Sequence, residues 1–194
     1  MPRRPAVFLD RDGTINEEVD FVRTPDQLVL IPGAGAAIRR LNRAGLLTCV
    51  ISNQSGVGRG LYTEETLTLI HARLVEDLKK EEAMLDRIYY CPHHPTEGVP
   101  PYNISCACRK PNPGMLLAAE REFQVDLQRS TVVGDRSVDI LAGRAVGART
   151  VLVLTGYGRQ AAEECAALGV QPDHTVGSIL KAVEVILGED GFDG

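Results

Sequence analysis

Nowhere in this chain of 194 residues do 18 apolar residues run together, so its sequence offers no membrane-spanning helix. The apolar stretch behind Met1-Pro2-Arg3-Arg4-Pro5 is too short for the core of a signal peptide, and a cytoplasmic protein is expected. Positive charge is scarce as well: 21 Lys and Arg stand against 26 Asp and Glu, a net charge of −5. A nucleic-acid partner would require a basic surface, so none is expected; a small anion would need only a local basic cluster. Gly33-Ala34-Gly35 lacks the third glycine of a dinucleotide fingerprint and reads as a turn before a helix. No repeat or linker divides the chain, which predicts a single domain over residues 1–187 followed by an acidic, glycine-rich, disordered tail at 188–194. No long apolar stripe argues for more than a monomer.

What is present is a regular alternation. Apolar runs at 6–9, 46–51, 86–90, 131–133 and 149–154 read as buried strands, with a last short one at 173–176. Helical patterns lie near 34–44, 63–82, 113–124, 137–146, 159–168 and 178–187. In the second of these Thr63 is the expected N-cap, and Leu67, Ile70, Leu74 and Leu78 form one apolar stripe. Ser137 is the expected cap of the helix after Asp135. This rhythm predicts an α/β fold, a parallel sheet with helices on both faces.

The predicted strands end in chemistry. The first stops at Asp10-Arg11-Asp12-Gly13-Thr14, the second at Ser52-Asn53-Gln54-Ser55-Gly56, and the fourth at Gly134-Asp135-Arg136-Ser137-Val138-Asp139; the long loop after the third ends in Arg109-Lys110-Pro111. A lone D-x-D-G is common in turns. In a parallel sheet, however, these ends share one edge and converge on one crevice. On extended chain Asp10 and Asp12 would face the same way, with Arg11 alternating away. A carboxylate can attack phosphorus, a second can move the leaving-group proton, and hydroxyl and ammonium donors can stabilise the equatorial oxygens. Two close carboxylates also call for a cation, and magnesium suits them.

Five cysteines are present. Cys49 and Cys165 lie in apolar surroundings and read as packing thiols. Cys91-Pro92-His93-His94-Pro95 and Cys106-Ala107-Cys108 form two short ligand sets compatible with a closed tetrahedral Cys₃His zinc site. Spacing does not distinguish His93 from His94. The loop over 91–108 has Gly98, Pro100 and Pro101 and few core residues, so it needs such a clamp, and Cys108 runs directly into Arg109 and Lys110.

Taken in order, Asp10-x-Asp12-Gly13-Thr14, Ser52, Lys110 and Gly134-Asp135-x₃-Asp139 resemble the four motifs of the haloacid dehalogenase (HAD) superfamily of phosphatases, over about residues 6–140. The zinc loop makes the chain similar to the superfamily's histidinol-phosphate phosphatase subfamily. The resemblance implies a Rossmann-like fold; no segment between the motifs is long enough for a large cap domain, so the crevice would be covered only by loops at 17–24 and 54–62 and by the zinc loop. It implies Asp10 as nucleophile, Asp12 as general acid and base, and Ser52 and Lys110 as holders of the phosphoryl group. Mg²⁺ would be bound by Asp10, the Asp12 main-chain carbonyl and Asp135. Asp139 is either a further ligand or simply a first-turn acid favoured by the helix dipole. Zinc would take Cys91, His93, Cys106 and Cys108. Glu18, Val19, Asp20, Phe21, Asn53, Gln54, Ser55, Arg109 and Arg136 would contact the substrate, a small sugar phosphate with two anionic groups, histidinol phosphate being the alternative.

Overall fold

The structure is a computed structural model that describes residues 3–189. Among these, six parallel strands form one sheet: β1 (Ala6–Leu9), β2 (Leu47–Asn53), β3 (Arg87–Cys91), β4 (Thr131–Gly134), β5 (Arg149–Val153) and β6 (His174–Val176), in the order β3-β2-β1-β4-β5-β6. The helices between and after them are α1 (Ala34–Arg43), α2 (Ser55–Gly58), α3 (Glu64–Lys80), α4 (Gly114–Phe123), α5 (Ser137–Ala145), α6 (Gly158–Ala167) and α7 (Ile179–Glu189).

Period-two alternation along the strands explains the layers. Val7 and Leu9 join a core with α1, α3 and α7, whereas Ala6 and Phe8 join a second core with Met115, Leu116 and Ala119 of α4. Both faces are covered, so the strands read as unbroken apolar runs. Phe8, fully buried, pairs with Cys49 in β2 and Val132 in β4. After β3 the chain returns to lay β4 beside β1. Strand order therefore reverses between β1 and β4, and the carboxyl ends of these two strands flank the crevice such a switch creates. Asp10 follows one of them and Asp135 the other.

The differences from expectation have local causes. β2 runs on to Asn53 because β3 continues to pair with it as far as Cys91, so Ser52 sits in the strand. The one-turn α2 is too short to show periodicity in a sequence. Thr63 caps α3 as expected, its Oγ1 accepting from Thr66 N at 3.2 Å. Ser137 is not a cap but the first residue of α5. There the Asp139 carboxylate reaches back to accept from Arg136 N at 3.0 Å, closing the N-terminus from inside the helix. Gly188 and Glu189 still belong to α7; the rest of the expected tail, 190–194, lies outside the described residues. Within them no helix is long and apolar enough to cross a membrane.

The α3 stripe provides a test of the packing. Ile70 is fully buried while its neighbour Leu69 is 60% exposed. Ile70→Ala should cost about 2–5 kcal/mol in denaturant unfolding, and Leu69→Ala should change stability by no more than about 0.5 kcal/mol.

Candidate active site

Lys110 is the centre of the crevice. Its ammonium is almost fully buried and lies 3.0 Å from Asp10 Oδ1 and 2.5 Å from Asp139 Oδ1, and it donates to the Ile51 carbonyl at 2.7 Å. Asn53, at the end of β2, pins the lysine backbone from both sides: Lys110 N donates to its Oδ1 at 3.0 Å, and its Nδ2 donates to the Lys110 carbonyl at 3.0 Å. Asp10 carries on the ladder past β1, its N donating to the Val133 carbonyl at 2.9 Å.

Asp10, Asp135 and Asp139 each present a carboxylate oxygen within 4.8 Å of the others. Burial pushes the Asp10 carboxyl up to about 7 despite Lys110, with Asp139 and Asp12 adding to the rise. Burial, then the charges of Asp10 and Asp139, pushes Asp135 up to about 8. Asp135 Oδ2 accepts from Tyr157 N at 2.8 Å, while its buried Oδ1 has no hydrogen-bond partner. An orphaned buried carboxylate oxygen facing two more carboxylates fits a divalent cation. Gly13 is required beside it: φ is +77°, and a Cβ there would stand 2.1 Å from Asp135 Oδ2.

Asp12 lines the same cleft as Asp10, but the chain bends at Arg11 and the Asp12 carboxylate is not part of the three-acid group. It accepts from Arg11 Nη2 at 2.8 Å on both oxygens, from Asn16 Nδ2 at 2.9 Å and from Gln54 Nε2 at 2.8 Å. Burial works to raise its pKa, but the Arg11 charge and these hydrogen bonds outweigh it, and the net direction is down. Arg11, expected to alternate away, is instead fully buried and grips this carboxylate. Ser52 Oγ, also buried, accepts from the same Gln54 amide at 2.7 Å, and Tyr62 OH donates to Gln54 Oε1 at 2.8 Å.

Above these groups is a cleft of about 370 Å³, within the size range of small-molecule sites. Glu18, Asp20, Phe21, Asn53, Gln54, Ser55, Arg109 and Arg136 line it, with Arg59 and Tyr157. Val19 lies outside this cleft, in a neighbouring groove. Arg109 donates to the His93 carbonyl at 3.1 Å. Arg59 stands over the Phe21 ring at 5.5 Å and pairs with Glu97.

The second ligand set also converges. The Sγ atoms of Cys91, Cys106 and Cys108 lie 3.0–3.4 Å apart, and His93 Nδ1 lies 3.6 Å from Cys91 Sγ and 3.5 Å from Cys108 Sγ. A tetrahedral zinc sets sulfur and nitrogen ligands about 3.6 Å apart, so the group is compact enough to hold one. His94 points elsewhere, its Nδ1 accepting from Glu97 N at 3.0 Å. Tyr157 escaped the sequence reading. It follows β5, a strand end to which the same edge rule applied.

An all-parallel sheet with acids, a buried lysine and a hydroxyl gathered at its switch point defines a hydrolase of the HAD type. A HAD-hydrolase-like family model matches residues 107–182. The D-glycero-D-manno-heptose-1,7-bisphosphate 7-phosphatase of Thermosynechococcus vestitus is 44% identical over 190 residues, 96% of each chain. The D-glycero-beta-D-manno-heptose-1,7-bisphosphate 7-phosphatase of Rhodopseudomonas palustris is 43% identical over 146 residues, 75% of this chain and 81% of that one. The crystal structure of D,D-heptose 1,7-bisphosphate phosphatase from B. bronchiseptica, complexed with magnesium and phosphate, superposes with a TM-score of 0.83 at 36% identity, covering 95% of this chain and 99% of that one. The chain belongs to this heptose-bisphosphate phosphatase family of HAD hydrolases, and is a phosphoric monoester hydrolase.

The histidine geometry can be tested by metal analysis. Purified protein should carry about one zinc per chain. His93→Ala should lose most of it, and His94→Ala should keep it.

Proposed function

We propose that this protein hydrolyses the 7-phosphate of D-glycero-D-manno-heptose 1,7-bisphosphate through an aspartyl-phosphate on Asp10. The observation that carries the reading is the buried Lys110 ammonium held against Asp10 at the floor of a cleft with arginines at its rim. The names of the relatives supply the sugar.

In this reading an Asp10 oxygen attacks phosphorus and the phosphorus–oxygen bond to C7 breaks. Lys110 and the Ser52 hydroxyl hold the equatorial oxygens as charge builds on them. Asp12 gives a proton to the departing alkoxide and takes one from the water that cleaves the aspartyl-phosphate. At rest Asp12 is ionised against Arg11, which suits the second task. A phosphate dianion beside it raises its proton affinity, as any like charge does, and so suits the first. Asp10, Asp135 and the Asp12 main-chain carbonyl would hold Mg²⁺, which when bound screens nucleophile from substrate and polarises a phosphoryl oxygen. Cys91, His93, Cys106 and Cys108 would hold zinc, which keeps the loop closed behind Arg109 and Lys110. Arg109 then grips the second phosphate, where a guanidinium can donate two hydrogen bonds.

Phosphate release with Mg²⁺ tests this directly. Heptose 1,7-bisphosphate should exceed histidinol phosphate in kcat/KM by at least about 100-fold, and Asp10→Asn should abolish turnover. Comparable rates on both substrates would remove the sugar assignment and leave the phosphatase chemistry standing. Arg109→Ala should lose about 10- to 100-fold in kcat/KM on the bisphosphate, the value of a charge-assisted pair, and much less on the 7-monophosphate.

A further inference from the structure

The neighbouring groove, open to solvent and of about 590 Å³, adjoins the catalytic cleft, and the two share Glu18, Asp20 and Tyr157 in their linings. These three side chains are therefore the partition between them. Tyr157 is its aromatic part, held at its hydroxyl and on one ring face. Its hydroxyl donates to Asp20 Oδ1 at 2.7 Å. Its ring lies under the Arg136 guanidinium, 3.9 Å from Cζ to the centroid, close enough for a cation–π contact. Arg136 in turn pairs with Glu18 at 3.4 Å. Asp20 itself stands at φ +63°, and Phe21 N closes a three-residue turn on the Val19 carbonyl at 2.8 Å. A positive-φ γ-turn at a non-glycine residue is strained and needs external support; the tyrosine hydroxyl supplies it.

We propose that Tyr157 is a specificity-determining residue, a wall that closes the far end of the cleft and limits it to compact phosphomonoesters. The inference deepens the proposed function, since it rests on the cleft being a phosphomonoester site, but it does not depend on the sugar being a heptose. Neither chemistry nor metal binding runs through the side chain: the contact to Asp135 is made by the Tyr157 backbone N–H, which every substitution but proline retains. Removing the ring joins the cleft to the open groove beside it. Removing only the hydroxyl leaves the wall and frees the Asp20 turn.

The experiment compares two substrates within each variant, with Mg²⁺ present: a hexose 6-phosphate, and trehalose 6-phosphate, which carries one more hexose ring. Tyr157→Ala should raise the ratio of kcat/KM for the larger over the smaller at least about tenfold, because a clash with a side chain that is no longer there stops counting against the larger one. Tyr157→Phe should leave that ratio within about twofold, since its ring still fills the site, and should act on KM rather than kcat. Because the ratio is internal to each variant, a general loss of folded protein cancels. An unchanged ratio in Tyr157→Ala, or an equal rise in Tyr157→Phe, would overturn the proposal. Failure of the heptose assignment alone would appear as poor heptose turnover with the ratio shift intact.

Discussion

One buried ammonium governs the site. Lys110 lies between Asp10 and Asp139 where water is excluded, and a charge in that position is tolerated only when paired. With Asp135 added, three carboxylates face one lysine, leaving two negative charges if all three acids are ionised. That surplus is why burial and mutual repulsion raise both Asp10 and Asp135. A bound divalent cation would balance the set. The same arithmetic suggests how a protein with a net charge of −5 can attract a phosphate: the lysine and a bound cation would offset the three acids, and Arg109, whose hydrogen bond goes to a carbonyl, faces the cleft.

Placing that lysine requires restraint from several directions, because it leaves no regular element. It sits on the loop between β3 and α4. Asn53 holds its backbone with two hydrogen bonds and the Ile51 carbonyl holds its ammonium, so β2 supplies one wall. The cysteine and histidine cluster supplies the other, ending two residues before it at Cys108. A second tie joins β3 and this loop to α3: Tyr90 of β3 and Tyr102 of the loop both donate to the Glu64 carboxylate, at 2.6 and 2.7 Å, and the Tyr90 bond, followed by that of Tyr102, holds its pKa down. The loop draws rigidity from these hydrogen bonds, and would draw more from a metal held by the cluster, because a segment with few core residues has no core of its own.

How much of this was legible in the sequence follows from the range of each interaction. The six strands, their parallel sense and the amphipathic face of α3 are periodic features, and period is visible along a chain. The two metal-capable clusters were visible as residue types at short spacings after strand ends. The direction of individual side chains was not. Extended geometry would turn Arg11 away from the acids, but the turn after Leu9 sends it inward against Asp12. Ser137 looks like a cap by composition, yet Asp139 does the capping, because the carboxylate that meets Lys110 also reaches the Arg136 amide. Tyr157 was overlooked because nothing in the neighbouring residues announces a partner 137 positions away.

Asp10 and Asp12 show what such side-chain direction accomplishes. They are two residues apart and chemically identical, yet the fold drives their proton affinities in opposite directions. Asp10 faces carboxylates and is raised; Asp12 faces a guanidinium and two amides and is lowered. In the proposed mechanism Asp10 is a nucleophile that Lys110 and a bound cation would keep ionised, and Asp12 a base that must be ionised before the reaction. Separating two like groups in this way is how one site runs both jobs at one pH. Here the separation depends on Arg11, whose burial beneath Asp12 makes the second carboxylate a distinct reagent and not a duplicate of the first.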